Sequence, residues 1–274
     1  MKTLLVTVAL ALIAVPSFAA VQYEFTVKTS SDDAAKSSAD LTARAIVDGD
    51  RSRVEFMSGS LYPPNTYVIS NDSSGRLYFV DPSKQWFTEV NTAGIATALG
   101  ASGIKIDNLT SKVEKLEDRQ LIAGLDTDHF RISLAYDITL VMKTIPVTQH
   151  VETEIDSWTT PLFSNIKTNF LSGGVHTGNS ELDRLLDSQS AKVTGFPMRQ
   201  LVTTRTKSEP ARGSNLNRPS TRIMTRETWV TKIQEAASKP SQFTIPVTYR
   251  RADQPDLPKS ASQVLNFDPK PGTK

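Results

Sequence analysis

Residues 129–140 read His129-Phe130-Arg131-Ile132-Ser133-Leu134-Ala135-Tyr136-Asp137-Ile138-Thr139-Leu140. Every even position is apolar and the odd positions are polar or small. A period of two puts one set on one face of an extended chain and the other set opposite, which is the signature of a strand with one side on a core. The same rhythm continues downstream, more weakly, through Val147, Gln149, Val151, Thr153 and Ile155. Upstream it recurs in Tyr23, Phe25 and Val27, then in Leu41, Ala43, Ala45 and Val47. The turn Asp48-Gly49-Asp50 joins that run to Val54 and Phe56 as a hairpin. Tyr67 and Ile69, then Leu77 and Phe79, lead to Asp81-Pro82-Ser83-Lys84, where proline presets the turn before Trp86, Thr88 and Val90. Two late strands are predicted over Phe196–Thr206 and Thr221–Ile233.

Helical signals are few. One short helix is predicted over Thr92–Leu99, ending at Gly100. A second starts at Thr160-Pro161, with Leu162, Phe163, Ile166 and Phe170 as its stripe. A third opens on the capping pattern at Ser180, with Leu182, Leu185 and Leu186 facing in. The fold expected is mainly β (α+β): a single curved antiparallel sheet or half-barrel, with two or three short helices on its apolar face. A long sheet must curl.

The ends of the chain differ from its middle. Met1-Lys2, an apolar run from Leu4 to Val15, Pro16 and Ser17-Phe18-Ala19 compose a secretory signal peptide. The run is shorter than the roughly 20 residues that span a bilayer. Cleavage is expected after Ala19 or Ala20, leaving a periplasmic or secreted protein that is not integral to the membrane. The chain of 274 residues contains no cysteine, so burial rather than disulfides must hold the domain over residues 20–250. Residues 251–274 carry Pro255, Pro258, Pro269 and Pro271 and read as a disordered tail. Lys207–Ser220 reads as a long polar loop. A net charge of +2, from 31 basic and 29 acidic residues mixed along the chain, gives no nucleic-acid footprint.

A set of ordered marks adds a resemblance. Ala45-Ile46-Val47-Asp48-Gly49-Asp50-Arg51-Ser52-Arg53-Val54-Glu55 and Arg76-Leu77-Tyr78-Phe79-Val80-Asp81-Pro82-Ser83-Lys84 resemble two hairpins of a family of exported bacterial proteins of unknown function. Ile122-Ala123-Gly124-Leu125-Asp126-Thr127-Asp128-His129-Phe130, Trp158-Thr159-Thr160, Gly195-Phe196-Pro197 and Phe243-Thr244-Ile245-Pro246 through Tyr249 resemble its later segments. The resemblance implies the half-barrel of the periplasmic lipoprotein carriers, a LolA-like fold whose apolar concave face takes acyl chains.

Chemistry-bearing clusters are sparse. Asp126-x-Asp128-His129 has the residue types of a cation site, but a solvated turn accounts for it with fewer requirements. His150, Glu152 and Glu154 share a strand face with Asp156 following, which any wet face can show. They are expected to form an ion-pair ladder with the Phe196–Thr206 strand. Arg199 and Arg205 on that strand, and Arg222, Arg226 and Lys232 on the next, are taken as outward-facing. Ser172-Gly173-Gly174 lacks a nucleophile-elbow context, and His176 lies in the same glycine-rich joint. No catalytic residue, metal site or cofactor is therefore expected. The expected function is non-enzymatic binding of a lipid or other apolar ligand in the curved sheet. Ala43, Ala45, Phe56, Tyr67, Phe79, Trp86 and Tyr136 are the candidate wall, the two alanines leaving room above them. The alternative is a structural or interaction module with a filled core that binds an envelope protein.

Overall fold

Alternation becomes strands over most of the described residues. The computed structural model describes residues 20–32, 39–70, 76–90, 105–142, 145–164, 166, 180–208 and 220–252. Their strands are β1 (Ala20–Ser31), β2 (Ala39–Asp48), β3 (Arg51–Gly59), β4 (Tyr67–Ser70), β5 (Leu77–Asp81) and β6 (Trp86–Val90). Then follow β7 (Lys105–Ile122), β8 (Leu125–Met142), β9 (Ile145–Thr160), β10 (Phe196–Ser208), β11 (Ser220–Ala236) and β12 (Arg250–Arg251), with helix α1 (Ser180–Ser190) before β10. All twelve strands form one open, curved sheet in the order β12-β6-β5-β4-β3-β2-β1-β11-β10-β9-β8-β7. Every pairing is antiparallel except the short parallel pair of β12 with β6.

The two meanders β1–β6 and β7–β11 close on each other where β1 pairs with β11. Local turns account for the hairpins. Gly49 takes φ +60° at the β2–β3 turn, where Arg51 donates to the Asp48 carboxylate at 2.6 Å. The Asp81 carboxylate accepts from the Ser83 backbone N–H at 2.9 Å and from the Lys84 N–H at 3.2 Å, fixing the β5–β6 turn. Gly195, entering β10, lies so close to Thr160 that an added Cβ would stand 2.5 Å from its carbonyl oxygen. No larger residue fits there.

One face of the sheet carries the main core: Tyr23, Phe25 and Val27 of β1, Ala43 and Ala45 of β2, Phe56 of β3, and Phe196 and Met198 of β10. The opposite, outer face is crossed by the chain after β11. Phe243, in a 3-10 turn at Pro240–Phe243, is buried with Ala20 and Ile46. Ile245 and Tyr249 then pack against Tyr67, Ile69 and Val80 before β12 reaches the β6 edge. Pairing extends just past residue 250: Arg251 pairs with Phe87, and the Ala252 N–H donates to the Phe87 carbonyl at 2.8 Å.

Two helix expectations meet the structure differently. The helix from Ser180 forms. The one from Pro161 does not begin: the chain turns there with Phe163 at φ +63°, a conformation no α-helix contains. Phe163 packs edge-on against Phe196, its ring centroid 6.4 Å away, so tertiary burial overrides the helical pattern. The Thr92–Leu99 helix, the Ser172–Gly174 joint, His176 and the tail beyond residue 252 lie outside the described residues.

Candidate functional site

Register places each side chain. On β8 the even residues share the core face with the odd residues of β9, since Ile132 pairs with Ile155, Leu134 with Thr153 and Tyr136 with Val151. Ile155 is opposite Val202 on β10, and Val202 is opposite Arg226 on β11. Arg226 is in turn opposite Thr29 on β1, two residues after the buried Val27. On the far side, Ile132 pairs with Val113 of β7. One row of the core face thus reads Val113, Ile132, Ile155, Val202, Arg226, Thr29. It is aliphatic across four strands and then meets a guanidinium. Ile132 is buried, and the other members are half-buried.

That Arg226 is on this face corrects the expectation that Arg222, Arg226 and Lys232 all point outward. On β1, Glu24 and Phe25 are consecutive, but their partners on β11 are Lys232 and Val230. Thr231 is the extra residue of a bulge, its hydroxyl donating to the Glu24 carbonyl at 3.3 Å. A bulge shifts the alternation by one. Lys232 is on the outer face beside Glu24, whereas Arg226 and Arg222, six and ten residues earlier, are on the core face. Among the described residues Arg226 makes no ion pair or hydrogen bond, and burial pulls its guanidinium below its ordinary value. Among the described residues the Tyr62 hydroxyl is the group whose charge acts back on it; burial raises that hydroxyl, and Arg226 lowers it. Tyr62 is anchored by its ring, stacked 4.1 Å from Phe56.

Of the residues expected to line a ligand space, Ala43, Ala45, Phe56, Phe79 and Trp86 come together in the main core. Ala43 and Ala45 are 0% exposed, so no water-sized gap stands above them. Tyr136 is on the same face but in the outlying half, half-buried, with burial raising its hydroxyl. Tyr67 is elsewhere: it pairs with Glu55 on the outer face, beneath the Arg53 guanidinium at 3.7 Å and against Ile69 and Val80. The loop between β3 and β4 sets the phase of β4, and nothing in the alternation of a four-residue strand announces it.

The ion pairs gather on the outer face. His129 is 4% exposed, its ring stacked on Trp158 at 4.2 Å. Its Nδ1 meets the Asp118 carboxylate at 2.8 Å, and its Nε2 meets Asp156 at 2.9 Å. Asp118 reaches it because β7 gains two residues between Leu116 and Arg119; the hydrogen bond from His129 pulls the Asp118 carboxyl below its ordinary value. Arg131 donates to both oxygens of Asp156, at 2.8 and 3.1 Å. Arg199 lies between Trp158 and Trp229, 4.6 and 4.9 Å from their rings, and pairs with Glu227 at 2.8 Å. Sequence reasoning missed this buried histidine; Trp158, directly opposite on β9, was its one available signal.

The expected ladder between β9 and β10 forms only at Glu152: among the described residues Glu154 and Asp156 meet Arg131 on β8 instead, and Arg199 pairs with Glu227 on β11. Glu152 is paired with Arg205 and lies 3.4 Å from Lys207, and His150 contacts Asp137 at 2.7 Å and Glu152 at 3.4 Å. Asp128 goes to Lys115 at 2.8 Å, not to a shared ligand set with His129. Among the described residues no group of three or more His, Cys, Asp or Glu is arranged to hold a metal. Two grooves open on this face. One, of about 440 Å³, is lined by residues such as Lys112, Glu152, Glu154 and Arg205, and one of about 310 Å³ by Arg44, Arg53, Glu55 and Gln242.

No protein-family model matches the chain, and no curated protein matches it. Among solved structures it is similar to a LolA superfamily protein from Nitrosomonas europaea, with 10% identity over 84% of this chain and 91% of that one, and a TM-score of 0.31. A likeness at that level carries nothing about activity.

Proposed function

We propose that this protein is exported and, without catalysis, binds a lipid or other apolar ligand on the core face of its curved sheet. The observation that carries the reading is the outlying half of that face. Val113, Ile155, Val202, Tyr136 and Ile138 continue the core's apolar surface yet remain only half-buried. A contiguous apolar strip left incompletely covered marks a place for an apolar partner. The packed half, from Ala43 to Trp86, serves as the rigid wall beside it. Export is supported by the leader-like composition of residues 1–19.

The filled interior around Ala43, Ala45, Phe25 and Phe56, each at 0% exposure, favours a second reading: a structural module of the envelope that binds another protein. Native mass spectrometry of protein purified from its own source separates the two. The ligand reading expects a co-purifying mass that organic extraction removes, on a chain beginning at Ala20 or Val21. A bare chain that also takes up no N-phenyl-1-naphthylamine would favour the structural module.

A further inference from the structure

The arginines of the outer face are engaged. Arg44 meets Glu24 at 2.9 Å, Arg131 meets Asp156, Arg199 meets Glu227, and Arg205 lies beside Glu152. Arg226 differs, because the Thr231 bulge turns it, like Arg222, to the core face. There it is half-buried, beside Tyr62, and without an anion among the described residues. Partial burial of an unpaired cation costs free energy that an anion at the same place would offset. A guanidinium presents a planar fork that fits a carboxylate or phosphate with two parallel hydrogen bonds. Next to it lies the aliphatic row of Val202, Ile155, Ile132 and Val113. With strands about 4.8 Å apart, that row extends roughly 14 Å across the sheet, the scale of a medium acyl chain.

We propose that Arg226 receives the anionic head of an amphiphilic ligand whose aliphatic chain lies across β10, β9 and β8 toward Val113. The proposal rests on the apolar-ligand reading and names the ligand's chemical class: a single-chain amphiphile with a carboxylate or phosphate head. Charge complementarity selects the anion, and the neighbouring row selects the chain.

The test compares cis-parinaric acid with its methyl ester on the full chain, following the polyene fluorescence. The acid and ester share a chain and differ in the charged head. The acid is expected to bind at least tenfold more tightly. In Arg226→Gln its affinity should fall to that of the ester while ester binding stays unchanged, and Arg205→Gln on the outer face should alter neither. Inorganic phosphate should not displace the acid; displacement would identify a free-anion site and overturn the amphiphile. Equal binding of acid and ester by the parent protein, or a preference that survives Arg226→Gln, overturns the head-group role and leaves the apolar-ligand reading standing. Binding of neither probe overturns both. Should Arg226→Gln not fold, the parent's acid-to-ester ratio decides alone.

Discussion

His129 and His150 occupy the outer face of neighbouring strands, yet their surroundings set them apart. His129 is enclosed by Trp158 and held between Asp118 and Asp156, and the Asp156 carboxylate also accepts from Arg131. Removing that carboxylate leaves the buried His129 Nε2 without its partner and Arg131 with Glu154 alone, 3.5 Å away. Asp156→Ala should cost about 2–3 kcal/mol, discounted from a fully buried pair because Arg131 remains partly in water. A lowered urea midpoint at unchanged slope is the readout; an unchanged midpoint would show that the pair is screened like a surface ion pair. His150 stands half in solvent, where its hydrogen bond with Asp137, and then Glu152, raises its value above the ordinary 6.5. A group raised on folding contributes stability that is complete below pH 6.5 and fades as pH rises through the folded value. The difference in melting temperature between the parent and His150→Asn should therefore shrink from pH 6 to pH 8; a difference that grows would contradict the assigned pairing. The His150 row was legible because alternation alone puts His150, Glu152 and Glu154 on one face. The His129 cluster was not, since Asp118 arrives through two extra residues in β7.

At the scale of elements, alternation locates strands but not their irregularities. The run from Phe130 was read in its true phase, with Ile132 at 7% exposure. Pairing of the acidic strand with Phe196–Thr206 followed from charge alone, and it is the pairing found in β9 and β10. On β11 the same logic failed, because Thr231 interrupts the phase between Lys232 and Val230. One residue too many in a strand has no compositional mark when the residue is a threonine, itself a good strand former. Deleting Thr231 makes Val230 and Lys232 consecutive opposite Phe25 and Glu24, so each keeps its face and the ladder becomes regular. The variant should keep a cooperative thermal transition and lose no more than about 1 kcal/mol, the worth of the hydroxyl's bond to the Glu24 carbonyl. Loss of the cooperative transition would contradict the assigned bulge. Tyr67 illustrates the same limit on a shorter strand, its phase set by the preceding loop.

Across the whole molecule, the chain closes its sheet through contacts of very long sequence separation. Ala20 pairs with Ala236, and the segment after β11 crosses the outer face to leave Arg250 and Arg251 beside β6. Such joins lie beyond the reach of local pattern, although antiparallel neighbours joined by short turns, such as β2–β3 and β5–β6, followed directly from the sequence. The result is a sheet with two unequal halves. The half built by β1–β6 is filled by its own aromatics, and the half built by β7–β11 extends the apolar face past them. On the reading proposed above, this second half holds an amphiphile against Arg226. Photolabelling with a diazirine-bearing fatty acid, followed by peptide mapping, tests it most directly. Labels are expected on core-face residues of β8, β9 and β10, around Ile132, Ile155 and Val202, suppressed by excess unlabelled fatty acid. Labels confined to the outer face, or unaffected by the competitor, would contradict it.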